Sequence, residues 1–181
     1  QAIMSTVKTT LTIAAAGLLL ALQGCNDNAC RAECSDNCDN MKVSVQPWGT
    51  APDGSPVELY TLTNEAKNTT VRLCTYGAIV QSIQVPDRDG KVGEIVLGYD
   101  NVAGYVADPT FQGAGIGRFG NRIGGGTFTI DGVKYNVTQN ENGNTLHGGN
   151  PGFNKMMWDA ETFSGPDGVG VVMHRLSPDG E

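Results

Sequence analysis

A chain of 181 residues has room for one domain of ordinary size or for part of a larger one. Its formal charge of −7, with 12 scattered Lys and Arg that form no run or stripe, excludes a nucleic-acid partner, since a phosphate backbone calls for clustered cations. The 39% hydrophobic content is enough for a core, and 25 glycines favour a turn-rich β protein over a helical one.

Residues 1–25 have the pattern of a targeting segment. Met4 is read as the start, because Gln1-Ala2-Ile3 cannot initiate ordinary translation, and Lys8 supplies a short positive region. Leu11 to Leu22 (LTIAAAGLLLAL) is apolar but too short to span a bilayer comfortably. It ends at Leu22-Gln23-Gly24-Cys25, which resembles the bacterial lipobox, where a small residue precedes a cysteine that becomes lipidated. The alternative is an ordinary secretory signal cleaved nearby. Either reading predicts an exported protein, periplasmic or at the cell surface, with a membrane tether where Cys25 is acylated.

Residues 26–40 are rich in Asn, Asp and Cys and are predicted to be a polar linker. Cys30, Cys34 and Cys38 recur every four residues, but the spacing is not that of a structural zinc site and no histidine lies near, so no metal site is expected. With Cys74 they leave room for two disulfides whose pairing the sequence does not assign.

From Met41 onward the texture is that of short strands. Val43–Val45, Val57–Leu62, Val71–Leu73, Ile79–Val80, Ile83–Val85 and Glu94–Gly98 are β-prone runs, separated by turn signals at Pro52-Asp53-Gly54, Asn64-Glu65 and Pro86 to Gly90. Phe128–Ile130 and Lys134–Val137 flank Asp131-Gly132 and are predicted to be a hairpin. Val169–Leu176 is the last strand, and no segment has a helical period of useful length. The fold predicted from these elements is all-β and sandwich-like. The chain closes on Ser177-Pro178-Asp179-Gly180-Glu181, a turn signal of the kind that leads to another strand, so a domain incomplete in this chain is expected.

The residues between Gly117 and Gly149 carry the candidate site. Asn121-Arg122 lies in a glycine-rich approach, and His147 sits between Leu146 and Gly148-Gly149. Together they offer fixed donors and a titratable nitrogen, and glycine lets a ligand come close to the backbone. Gly115 to Gly120 spells G-x-G-x-x-G, but no buried apolar strand precedes it and Gly124-Gly125-Gly126 follows, where no helix starts well, so a nucleotide fingerprint is rejected. Asn140, Asn142 and Asn144 around Gly143 are turn formers. Phe153 and Trp158 are expected in the core, and His174, alternating with apolar neighbours, on the outer face of a strand.

The segments GSPVELYTLTN, TYGAIVQSIQVPDRDG, VLGYDNVAGY, GRFGNRIGGGTF, NTLHGG with GFNKMMW, and LSPDGE resemble the aldose 1-epimerase (galactose mutarotase) family in order and spacing. The resemblance runs from Trp48 to Glu181 and covers roughly the first half of a family domain. It implies a β-supersandwich and the interconversion of α and β anomers of hexoses such as galactose and glucose, without a cofactor. It matches Asn121 and Arg122 to the family's sugar-binding pair and His147 to the sugar-binding histidine of its LHGG loop. Gly120 stands where the family usually has Ala, and Gly124 and Gly125 loosen the next turn; neither removes a functional group. The family's general acid, a second histidine, and its general base, a glutamate, belong to motifs absent from these 181 residues, so no catalytic residue is assigned here and His174 is not given that role. Two other readings stay open. One is an exported carbohydrate-binding module or degenerate homologue. The other is an epimerase of hexose 6-phosphates, which would need an arginine cluster not seen here.

Overall fold

The computed structural model describes residues 7–14, 40–165 and 168–181, the first of these as backbone only. Cys25, Cys30, Cys34 and Cys38 lie outside the described residues, as do most of the expected leader and linker.

Strand β1 (Val7–Ala14) is followed by β2 (Met41–Thr50), β3 (Pro56–Asn64), β4 (Thr69–Cys74), β5 (Ile79–Pro86) and β6 (Val92–Glu94). β2 to β6 form one antiparallel meander in sequence order. Its connections are made by the residues that signalled turns. Asp53 Oδ1 accepts the Ser55 N–H at 2.9 Å, and Asp87 Oδ1 accepts the N–H groups of Asp89 and Lys91, both at 2.9 Å, ahead of Gly90 in the left-handed region (φ 81°).

Beyond the meander come β7 (Arg122–Ile123), the hairpin β8 (Thr127–Ile130) and β9 (Val133–Asn136), then β10 (Thr145–Leu146), β11 (Asp159–Gly165) and β12 (Gly168–Ser177). β10 pairs with β7, and β12 lies between β1 and β11 in a three-stranded sheet, so part of the segment expected as a leader runs antiparallel to β12 here. The predicted hairpin turn forms with Asp131 and Gly132 both left-handed (φ 50° and 79°), the two-residue turn whose twist suits paired strands.

β3 shows why its large apolar residues, Val57, Leu59, Tyr60 and Leu62, do not all fall on one alternating face. Tyr60 and Leu62 face Leu73 of β4, Val171 and Met173 of β12, and the rings of Phe153 and Trp158. Val57 and Leu59 point the other way, into a second cluster with Cys74, Ile79, Val102 and Tyr105. A strand covered on both faces carries apolar residues on both, so its pattern shifts phase between Leu59 and Tyr60.

Strands β1, β7, β10 and β11 fall outside the expected β-prone runs, and two further elements differ from expectation. Glu94–Gly98 is not a strand: pairing stops at Glu94, whose Oε1 accepts the N–H groups of Ile83, Ile95 and Val96 at 2.8, 3.2 and 3.2 Å. A carboxylate that gathers its neighbours' backbone donors ends the ladder, and Leu97 is left 80% exposed. The second difference is a helix, α1 (Val102–Ala107). Asn101 Oδ1 caps its start by accepting the Gly104 N–H at 2.9 Å, and Lys155 Nζ donates to the carbonyls of Tyr105, Val106 and Asp108 at 2.7, 3.0 and 3.0 Å. Six residues are too few to show a period or to hold a helix unaided.

Cys74 is buried as a free thiol that donates to the Tyr76 carbonyl at 3.3 Å, so it does not enter the disulfide tally. Burial pushes the Cys74 thiol from 9.0 up to about 12; burial and the neighbouring Glu58 push the Tyr60 phenol from 10.0 up to about 12. Both folded values lie above the unfolded ones. The stability these neutral groups contribute is therefore complete below pH 9 and is lost as pH rises toward 12. Urea-unfolding midpoints followed by tryptophan fluorescence are expected to fall across that window, and Cys74→Ala is expected to flatten the fall. A midpoint independent of pH there would contradict the burial of both groups.

Candidate functional site

The site is assembled where β7 meets β10. The loop leading to it is organised by Asp108, which accepts Thr110 N–H at 2.7 Å, Thr110 Oγ1–H at 2.5 Å, Gln112 N–H at 3.0 Å and Tyr99 Oη–H at 3.3 Å. Burial opposes the Asp108 charge, but these donors outweigh it and hold the carboxyl below the usual carboxylate range. The loop then lies along β5, with Val80 N–H donating to Gly113 O at 2.9 Å and Gly115 N–H to Gly77 O at 2.8 Å. The G-x-G-x-x-G run within it leads into β7 and a 3-10 turn at Gly124–Gly126, not into a helix, consistent with its rejection as a phosphate cradle.

Asn121 and His147 hold each other. The Asn121 N–H donates to His147 Nδ1 at 3.0 Å, and the His147 N–H donates to the Asn121 carbonyl at 2.9 Å. Both residues are left-handed (φ 65° and 52°), a conformation that costs a side-chain-bearing residue about 1 kcal/mol or more and persists only when the surroundings enforce it. The enforcement is visible. Asn140 brackets Leu146 like a strand neighbour, its Oδ1 accepting the Leu146 N–H at 2.7 Å and its Nδ2 donating to the Leu146 carbonyl at 3.0 Å. The Phe111 ring meets the imidazole edge-on, centroids 5.0 Å apart.

With Nδ1 accepting a backbone N–H, the neutral imidazole carries its proton on Nε2, which has no partner among the described residues and is free to donate. Arg122, whose side chain is 51% exposed, donates from Nε and Nη2 to the two oxygens of Glu141 at 3.0 and 3.2 Å, and from Nη1 to Asn121 Oδ1 at 3.0 Å. The Arg122 hydrogen bonds hold the Glu141 carboxyl below its ordinary range, and Glu141 raises the guanidinium in return. The Asn121 carboxamide keeps its Nδ2 unpaired among the described residues. Asn121, Arg122 and His147 thus lie side by side, each with a side-chain donor that no described residue takes, and the neighbouring carboxylate of Glu141 is engaged.

All three predicted sugar-binding residues, Asn121, Arg122 and His147, are brought to one place. The predicted lipidation residue, Cys25, lies outside the described residues. Phe153 and Trp158 are buried and meet edge-on at 5.8 Å, as core residues do. His174 stands apart on β12, 3.8 Å from Asp159 and in a different groove, with Glu58 and Glu161. No cluster of three metal-ligating side chains occurs among the described residues. Sequence reasoning missed Glu141 and Phe111; the one signal for Glu141 was an acidic residue within the asparagine-rich turn between the arginine and the histidine. Beside Arg122 and Gly148 opens a cavity of about 560 Å³ walled mainly by apolar side chains, among them Phe119, Ile123, Phe128 and Phe153.

The glycines after His147 are required by close approach. At Gly148 (φ 95°) a Cβ would collide with the Gly117 carbonyl, and at Gly149 (φ 84°) with Thr138 Oγ1. Gly148→Ala is expected to destabilise the protein by more than about 1 kcal/mol and lower its melting temperature, whereas Gly124→Ala, with open space around it, is expected to leave it unchanged. Equal melting temperatures for the two variants would contradict the crossing of the two loops.

Comparison with known proteins identifies the family. A family profile described as aldose 1-epimerase matches residues 58–181. The galactose mutarotase of Rattus norvegicus is 38% identical over 142 residues, which cover 78% of this chain and 40% of that protein. The aldose 1-epimerase of Escherichia coli (strain K12) is 41% identical over 108 residues, covering 60% of this chain and 31% of that one. The crystal structure of galactose 1-epimerase from Lactobacillus acidophilus NCFM superposes with a TM-score of 0.66 at 23% identity over 77% of this chain and 40% of that chain, which supports the all-β, mutarotase-like fold. The chain spans about two fifths of the length of the mammalian relatives it matches. By sequence, the chain belongs to the aldose 1-epimerase family.

Proposed function

We propose that the protein catalyses aldose 1-epimerisation, opening the pyranose ring of a hexose such as galactose or glucose and closing it on the other face. A base takes the proton of the anomeric hydroxyl while an acid protonates the ring oxygen; the aldehyde rotates, and the two roles reverse. In this reading Asn121, Arg122 and His147 grip the sugar. Arg122 offers its two remaining N–H groups to hydroxyl oxygens without ever losing its charge. His147 donates from Nε2 toward the ring oxygen in support of the acid. The acid and base themselves are a histidine and a glutamate outside these 181 residues, as the family resemblance implies. The observation that supports the reading is the reciprocal Asn121–His147 pairing, which sets the two residues beside Arg122 and leaves the imidazole Nε2 without a partner among the described residues.

A binding-only role is the second reading. It is favoured by the engagement of Glu141 with Arg122, which leaves this group of residues without a free base. The coding sequence past Glu181 separates the two: a second histidine and a late glutamate support catalysis, and their lack supports binding alone. The proposal also places the mature protein outside the cytoplasm, tethered through Cys25 where the lipobox-like end is processed. Fatty-acid labelling that survives Cys25→Ser would remove the tether.

The purified 181-residue chain, added to freshly dissolved α-glucose, is expected to leave the change in optical rotation at the buffer rate, because each missing proton-transfer group is worth about 10²–10⁴-fold. It is expected to bind galactose all the same, and His147→Ala to weaken that binding. A rotation rate clearly above buffer would overturn the division of labour; binding untouched by His147→Ala would overturn the role of the histidine.

A further inference from the structure

We propose that Glu141 is a positioning residue for Arg122, holding the guanidinium rigid before a sugar arrives; this rests on the sugar-gripping role given to Arg122. A half-exposed arginine has many rotamers, and each ligand contact it makes must first meet the cost of choosing one. Here the choice is already made. Glu141 takes Nε–H and one Nη2–H in a side-on pair, and Asn121 Oδ1 takes one Nη1–H. Three of the five guanidinium donors are engaged by protein. One N–H on each terminal nitrogen remains for a ligand, in a plane fixed by two partners.

Glu141 can do this because it is itself fixed by the backbone. It pairs with Asn144 in both directions, at 3.1 and 2.8 Å, across Asn142-Gly143, both left-handed (φ 47° and 80°). This is the tightest kind of hairpin turn. Asn142 Nδ2 adds a contact to Glu141 Oε1 at 3.3 Å, and Asn144 Oδ1 ties the turn to Gly125 N–H at 3.1 Å, on the far side of β7. The asparagines that read as turn formers thus build the platform on which the carboxylate stands. An isolated surface ion pair of this exposure would contribute little to stability. Its bidentate geometry and its place beside the site give it a role in preorganisation instead.

The test compares the 181-residue chain with Glu141→Gln and Glu141→Ala, using arginine labelled with ¹⁵N and galactose as the probe ligand. In the parent, the Arg122 Nε–H signal is expected to be sharp and protected from exchange. It is expected to broaden or vanish in Glu141→Ala while the near-UV spectrum and melting temperature stay unchanged. Galactose affinity is expected to fall about 2- to 10-fold in Glu141→Ala, the cost of immobilising one long side chain, and by less in Glu141→Gln, which keeps an acceptor. Raising the salt concentration should narrow the gap between parent and variants. An Arg122 signal indifferent to Glu141 would overturn the proposal. Tighter galactose binding in the variants would overturn it too, making Glu141 a competitor for the arginine. A parent that shows the protected signal but binds no galactose would leave the clamp in place as a purely structural pair, which removes its positioning role and counts against the sugar site itself.

Discussion

The site depends on one crossing of the backbone, where Asn121 and His147 exchange two hydrogen bonds. One of these is between main chains and fixes where the two loops meet. The other ends on an imidazole nitrogen and fixes which ring nitrogen is left to donate. A single contact therefore settles position and tautomer together, and it does so with a backbone donor that cannot rotate away. The crossing is narrow because Gly148 presses against Gly117, and neither loop has room for a side chain at that point. Left-handed backbone at Asn121 and His147 suits residue types that enter that region more readily than most, and the crossing holds them there.

Around that crossing the molecule separates two tasks. The meander and β12 bury apolar side chains on both faces of β3, and that core supplies a rigid floor. The polar work is done above it by short strands of two residues and by side chains that imitate strands, as Asn140 does for Leu146. Amide and carboxylate groups of the loops spend most of their hydrogen-bonding capacity on one another. The few donors left over are the ones a hydroxylated ligand would meet.

Much of the fold was legible because its signals are local. The Asp131-Gly132 turn requires two left-handed residues, and that pair supplies them at low cost, so the hairpin could be placed from the dipeptide. The strand expected through Gly98 failed for a reason that alternation does not encode: Glu94 turns its own carboxylate onto the backbone and ends the pairing. Asn121, Arg122 and His147 were singled out through a resemblance spread over several motifs. Glu141 was not recognisable, because its partner lies 19 residues away and its own neighbourhood has the composition of a plain turn. Local composition finds the turn but not what the turn presents.

The cap that Lys155 places on α1 has a kinetic consequence. A helix of six residues does not pass its own nucleation barrier, and the ammonium that satisfies its last carbonyls comes from 47 to 50 residues further along the chain. Closing so long a loop is slow relative to pairing neighbouring strands, so the antiparallel meander can be in place while α1 is still unformed. The second apolar cluster draws Val102 and Tyr105 from that helix, so the outer cover of the sheet and the segment that follows the histidine loop are tied through one ammonium.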